Sequence, residues 1–180
     1  SEYRPTDPQI AWFLARFITD IRGRSLDAVL MRENWLQAYD FASKRGAIFL
    51  GEYARSANPF ADVGDKTVSV QVTSVVRASA SSFQVKWVER AYERGSLTGT
   101  SRWTAIVTVL LKPPRDAETL RRNPLGLYVD AIDWSRELET AADHAPGPSP
   151  TPVPNPGVPS GSPLDPGLGQ PSHAQPENRP

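Results

Sequence analysis

The strongest alternation of hydrophobic and polar residues lies between Ser82 and Trp134. It predicts two long paired strands followed by a third strand that returns beside them. Between Ile106 and Leu111 both faces of the second strand are apolar, which is typical of a central strand rather than a sheet edge. Upstream helices are expected to cover one face. The uncovered remainder is a first indication that the domain binds other protein.

The first two of these strands are joined at Arg94-Gly95. A strict two-residue loop there would pair Trp87 with Arg102, whereas one residue of slip pairs Trp87 with Trp103 and keeps apolar residues on one face. We therefore predict a longer loop or a β-bulge in this hairpin, and with it a strongly curved sheet.

Two more strands are predicted on either side of this hairpin. The segment from Lys66 to Arg77 alternates and then loses its phase at Val75, which indicates a bulge or a sharp bend. After a tight turn from Asn123 to Gly126, the segment from Leu127 to Trp134 is predicted to re-enter the sheet. A helix remains an alternative there, since four residues would share one helical face: Leu125, Val129, Ile132 and Leu138.

Helices are predicted before all of the clear strands. The first begins at Thr6-Asp7 and ends before Gly23, with one apolar stripe that must be buried: Ile10, Phe13, Leu14, Phe17, Ile18 and Ile21. A third, shorter helix ends before Asn58-Pro59 and carries Ile48, Phe49, Leu50 and Tyr53.

The second predicted helix begins at Ser25 or Asp27 and runs to about Lys44, with Gly46 as its C-terminal stop. Its expected core residues are Leu26, Val29, Leu30, Leu36, Tyr39 and Phe41. Because helices precede strands instead of alternating with them, the fold class is predicted to be α+β, with N-terminal helices packed on a strongly curved antiparallel sheet.

Composition divides the chain into two parts. Residues 145–180 hold 12 of the 18 prolines and 5 of the 12 glycines, with no aromatic residue. Such a segment cannot bury enough apolar surface to offset its ordering entropy. We predict a folded domain over residues 1–144 and a disordered tail over residues 145–180.

The rarest residue types exclude several classes of chemistry. The chain has no cysteine, and both histidines, His144 and His173, lie at the edge of the tail or inside it. A folded body without thiol or imidazole cannot hold a Ser-His-Asp triad, a catalytic cysteine or a histidine-containing zinc site. No cofactor and no metal are therefore expected. No stretch reaches the roughly 20 apolar residues of a membrane-spanning helix, so the sequence as given is expected to be a soluble piece.

Several segments resemble one known family. SFQVKWVERAYERGSL, SRWTAIVTVLLKPPRDAETLRRNPLGLYV and IDWSREL, together with PTDPQIAWFLARFITDIR and ENWLQAYDFASKRG, are similar to the TrbF family of conjugal-transfer proteins. TrbF proteins are the conjugal-transfer members of the VirB-type inner-membrane scaffold subunits of type IV secretion systems. The resemblance covers about residues 6–138.

The resemblance implies a fold, a location and a set of contact residues. It implies a periplasmic domain of the nuclear-transport-factor-two-like fold, belonging to a single-pass inner-membrane protein whose membrane segment is not in this sequence. Partners are expected to be other channel subunits and weakly associating copies of the chain. Family members carry an Asn-Pro-x-Gly turn implicated in partner contact and structural integrity, matched here by Asn123, Pro124 and Gly126.

Two other functions compete with this interpretation. Arg121 and Arg122, with Arg115, form a small basic cluster that could contact an acidic partner surface or phosphate, or be a solvated loop. Direct nucleic-acid binding is not expected, because 20 basic residues balance 20 acidic ones. Tyr39 and Asp40 could instead serve a small-molecule binder or enzyme inside the cone of the sheet. The prediction adopted is a non-enzymatic scaffold subunit of a conjugative type IV secretion channel.

Overall fold

The computed structural model of the chain describes residues 2–61 and 63–138. The elements are, in order, α1 (Asp7–Arg22), α2 (Ala28–Asp40), α3 (Lys44–Ala57), β1 (Lys66–Arg77), β2 (Ser82–Glu93), β3 (Ser96–Leu111), α4 (Ala117–Arg122) and β4 (Leu127–Arg136). The predicted order of helices followed by strands is confirmed. The domain boundary predicted at residue 144 and the tail lie outside the described residues.

The four strands form one antiparallel sheet in the order β1-β2-β3-β4. Trp87 pairs with Trp103, so the register predicted from apolar pairing is confirmed. The turn itself has two residues, Arg94 and Gly95, with φ angles of 50° and 84°. The slip comes from a register shift at Ala91, next to the turn, so the predicted bulge is present and the longer loop is not.

Each pair of strands contains one such irregularity. In β1 the register shifts between Val72 and Ser74, just before the predicted loss of phase at Val75. The pairing of β3 with β4 shifts between Thr108 and Val109. Every bulge increases local twist and bends its strand, as expected for the strongly curved sheet predicted from the sequence.

Helix α1 follows its sequence signals closely. The Thr6 hydroxyl accepts from the Gln9 amide while the Gln9 side chain accepts from the Thr6 amide, which forms a capping box. All six residues of the predicted stripe are buried: Ile10, Phe13, Leu14, Phe17, Ile18 and Ile21. They meet β-strand residues that include Phe83, Val85, Trp87, Val107 and Val129 to form the core.

The prediction for α2 is wrong in two respects. Of the six predicted core residues only Phe41 is buried; the exposed ones are Leu26, Val29, Leu30, Leu36 and Tyr39. The helix instead buries its opposite side through Met31 and Ala38. It also ends at Asp40, capped by Phe41, whereas Gly46 lies in the first turn of α3, where a Cβ would stand 2.1 Å from the Val129 carbonyl oxygen.

Helix α3 begins after a Ser43 cap and ends at Ala57, directly before Asn58-Pro59 as predicted. It ends there because Asn58 adopts a left-handed conformation with φ 43°. Leu50 is buried and Phe49 and Tyr53 are half-buried, as expected. Ile48, predicted as a core residue, is exposed. On the sheet face turned away from the helices, Val76 and Ile106 are exposed, so within the described residues the helices cover one face.

Candidate partner-contact site

The short helix α4 is fixed locally by its own cap. Asp116 accepts hydrogen bonds from the Thr119 amide at 2.8 Å and from the Thr119 hydroxyl at 3.0 Å. These bonds favour the charged carboxylate and lower the pKa of Asp116 below its usual value. In the last turn Arg122 pairs with Glu118 four residues earlier. The helix therefore stops at a defined point and delivers the chain to the turn that follows.

Asn123 is the buried anchor of this turn. It is 2% exposed, and its side-chain amide donates to the Leu127 carbonyl at 2.7 Å and to the Asp40 carbonyl at 3.2 Å. The Asn123 carbonyl in turn accepts from the Gly126 amide at 3.0 Å. One side chain thus joins the end of α2, the turn and the start of β4. Asn123 Oδ1 has no hydrogen-bond partner among the described residues.

Gly126 is required by both conformation and space. Its φ is +63°, in the left-handed region that favours glycine. A Cβ at this position would lie 2.5 Å from the Lys112 carbonyl oxygen and 3.0 Å from the Pro113 Cα. The Gly126 carbonyl also accepts from the Lys112 amide at 2.7 Å. The turn is therefore pressed against the end of β3 and cannot accept a larger residue without moving.

The structure separates the five predicted contact residues into two groups. Asn123 and Gly126 are buried, whereas Arg121, Arg122 and Pro124 are exposed. The three exposed residues are accessible to another protein, whereas the two buried residues hold the turn in place. Whether any of the five meets a partner stays a prediction.

Helix α4 also carries an exposed apolar residue, Leu120, which was not among the predicted contact residues. Leu120 is 55% exposed and lies next to Arg121 in α4. We name the exposed residues Leu120, Arg121 and Pro124 the turn rim. The sequence held one signal for Leu120. Helix α4 has 6 residues, which is too short to form a buried apolar face, so an apolar residue in it is expected to stay exposed.

The space between the helices and the concave face of the sheet is filled by an arginine and aromatic rings. Arg22 makes two hydrogen bonds to Glu89, at 2.6 and 2.9 Å, and both side chains are nearly buried. The guanidinium lies 4.1 Å from the ring centre of Trp103 and 4.8 Å from that of Trp134. Trp87 donates to the same carboxylate at 2.7 Å.

The alternative of a small-molecule site at Tyr39 and Asp40 loses its geometric basis. Tyr39 is exposed, with its ring packed edge-on against Trp35 at 6.1 Å, and does not point into the concave face. The Asp40 backbone carbonyl serves the Asn123 clamp. The titratable pair that does occupy the interior, Arg22 with Glu89, was missed, although Glu89 continues the inward alternation of Phe83, Val85 and Trp87.

The comparisons with known proteins define the class. Residues 1–137 match the family model described as VirB8 protein, so the chain belongs to the VirB8 family. A curated relative narrows the resemblance: the conjugal transfer protein TrbF of Rhizobium radiobacter is 34% identical over 128 residues, which are 69% of this chain and 58% of the relative. The family resemblance stated from the sequence is confirmed. The chain spans less than two thirds of that relative.

Several solved structures share the fold. A TrwG component of a type IV secretion system from Bartonella birtlesii superposes with a TM-score of 0.67 at 12% identity, over 78% of this chain and 99% of that one. The VirB8 protein of Agrobacterium tumefaciens gives 0.65 at 14% identity, over 77% and 99%. The periplasmic domain of DotI gives 0.54 at 13% identity, over 75% and 99%. The predicted nuclear-transport-factor-two-like fold is confirmed. No helix among the described residues is long and apolar enough to span a membrane.

Proposed function

We propose that this chain is the periplasmic domain of a single-pass inner-membrane protein and acts as a non-enzymatic assembly subunit of a conjugative type IV secretion channel. Membership of the VirB8 family and the similarity to TrbF support this role. Its partners are other subunits of the channel and copies of itself. The mechanism is positioning, in which a rigid domain holds small contact surfaces at fixed places.

The observation that carries the proposal is that the turn after α4 has a buried side, which is fixed to the domain, and an exposed side, which is open to contact. The buried side of the turn is clamped by Asn123 and by the close contact of Gly126 with Lys112. The turn rim faces outward from that clamp. An exposed leucine beside an arginine and a proline, held by buried hydrogen bonds, is suited to a small, partly wet contact with another protein.

Local charge indicates what kind of partner surface fits the rim. From Lys112 to Pro124 there are four basic residues and two acidic ones. Of the acidic residues, Glu118 is paired with Arg122 and Asp116 with the amide and hydroxyl of Thr119. Arg115 and Arg121 form no ion pair with another described residue. We infer a partner surface that carries acidic groups beside an apolar pocket.

A gene deletion in the conjugative element that encodes this chain tests the function. Loss of transfer, restored by the intact gene supplied in trans, is the expected result. Transfer at the original frequency without the gene would rule out an essential place in the channel.

A further inference from the structure

Helix α2 has an apolar outward face that no other described residue covers. Val29 is 66% exposed and Leu36 52%. They lie two helical turns apart on the side opposite Met31 and Ala38, which pack into the domain. Helical periodicity would permit either side to enter the core, and the fold has buried the Met31 side. Such an exposed stripe at seven-residue spacing is suited to contact with another helix.

Charged residues lie between the two ends of this stripe. Arg32 and Glu33 join Ala28, Val29 and Leu36 around an open groove of about 470 Å³. Neither charged side chain forms an ion pair with another described residue. The pattern along the stripe is therefore apolar, basic, acidic, apolar.

Two copies of this pattern that run in opposite directions are complementary to each other. If a second α2 runs antiparallel, with a twofold axis between Arg32 and Glu33, Val29 of one helix meets Leu36 of the other. The same operation places each Arg32 beside a Glu33. A twofold interface requires that residue i contacts j while j contacts i, and these four residues meet that requirement.

We propose that the outward face of α2 is a contact surface between two copies of this chain, arranged as an antiparallel helix pair. The proposal assigns a surface to the self-association in the proposed function and rests on that part alone. It is independent of the turn rim, which lies on another element.

Two observations favour a second copy over other occupants. A helix that lies on a lipid surface carries a lysine- and arginine-rich polar face, whereas the exposed face of α2 combines one arginine with the acid Glu33. An unrelated protein would need to match the apolar-basic-acidic-apolar order by coincidence, but a second copy provides it by symmetry. Since a single helix pair buries little area, we expect a weak, reversible dimer.

Charge reversal on the purified 180-residue chain tests the arrangement. Sedimentation velocity over a concentration series gives the dimer dissociation constant. In Arg32→Glu two acidic residues meet at both symmetry-related positions, and in Glu33→Arg two basic residues do. Each single variant should weaken the dimer at least about tenfold, the effect of roughly 1.4 kcal/mol. The double variant Arg32→Glu with Glu33→Arg should return to within about threefold of the unchanged chain.

A mixture of the two single variants is the sharper test. Each variant alone has like charges in contact, but together they form a heterodimer with opposite charges at both positions. Stronger association in the mixture than in either component is expected. The matched control reverses two exposed α3 residues, Arg55→Glu and Glu52→Arg, and should leave association unchanged.

Concentration-independent monomers of the unchanged chain would overturn the proposal and leave the face to lipid or to another protein. Dimers that respond equally to the α2 and α3 reversals would overturn it as well. Strict monomers would also remove self-association from the proposed function, but either result would leave the place in the channel standing, because that place is tested by gene deletion and not by association in solution.

Discussion

The side-chain amide of Asn123 donates a 2.7 Å hydrogen bond to the backbone carbonyl of Leu127, in a position that is 2% exposed. A residue expected to take part in partner contact is therefore a structural clamp. Its second bond reaches the Asp40 carbonyl, 83 residues away in sequence. The conformation of the turn rim depends on these two bonds.

Asn123→Ala should lower the free energy of unfolding. The change removes both donors and leaves the Leu127 and Asp40 carbonyls without them, at a cost of about 2 kcal/mol. Urea denaturation followed by tryptophan fluorescence measures this. Pro124→Ala is the matched control on the same turn; since Pro124 is exposed, it should cost no more than about 1 kcal/mol, the effect of freeing the unfolded chain from the proline ring. Equal stability of the Asn123 variant and the unchanged chain would show that the clamp is not needed.

Gly126→Ala should be more costly than Gly95→Ala, although both glycines have positive φ, at 63° and 84°. The conformational cost is shared, on the order of 1 kcal/mol. Only at Gly126 does the new Cβ also collide with backbone, 2.5 Å from the Lys112 oxygen, whereas nothing lies within 4 Å at Gly95. Thermal or urea denaturation of both variants should separate the packing cost from the conformational one. The same loss in both would contradict the close contact.

Glu89→Ala should destabilise the domain by about 3–5 kcal/mol, because it leaves the Arg22 guanidinium buried without its carboxylate. The exposed pair of Lys86 with Glu137, 3.7 Å apart, offers a matched control. Glu137→Ala should cost less than about 1 kcal/mol. Unfolding free energies of the two variants check this, and a small loss for Glu89→Ala would show that water reaches Arg22.

The apolar stripe of α1 carries one carboxylate, Asp20, which is 4% exposed and lies 3.3 Å from Arg16. Burial disfavours its charged form and raises the pKa of Asp20 to about 7, against a partial opposing effect of Arg16. The folded state thus binds the proton more tightly than the unfolded state. Stability contributed by this group is present at low pH and is lost as the pH rises from about 4 to about 7.

Asp20→Asn should remove this dependence. The variant should gain stability relative to the unchanged chain, and the gain should be larger at pH 8 than at pH 5 by about 2.5 kcal/mol. Urea titrations at the two pH values measure the difference. A constant difference across this range would show that Asp20 is ionised throughout.

Elements with one apolar face were predicted well. Helix α1 has one apolar stripe, so the sequence indicated which side of the helix enters the core. The pairing of Trp87 with Trp103 followed from keeping apolar residues on one face across two strands. The predicted core side of α2 was wrong because this helix is apolar on two sides. Val29 and Leu36 lie on one side, and Met31 and Ala38 lie on the other. Periodicity within one helix cannot decide which side the rest of the domain covers.

The candidate site was located from sequence, but the roles within it were not. The turn chemistry of Asn123, Pro124 and Gly126 fixes the place of the turn along the chain. Burial of Asn123 depends on Asp40, which only the fold brings near. Likewise, the filled interior depends on Arg22 from α1 meeting Glu89 from β2. Alternation along β2 indicates that Glu89 points inward, but no pattern in the sequence shows which residue of a distant element it meets.

The most direct test of the central claim, that this domain acts through protein contact at the turn rim, is conjugative transfer by rim variants. Leu120→Glu with Arg121→Glu should lower transfer at least about tenfold in a strain lacking the chromosomal or plasmid copy, with unchanged protein level and folding. The matched control, Ile48→Glu with Arg55→Glu on the exposed side of α3, should transfer normally. Normal transfer by the rim variant would contradict the account.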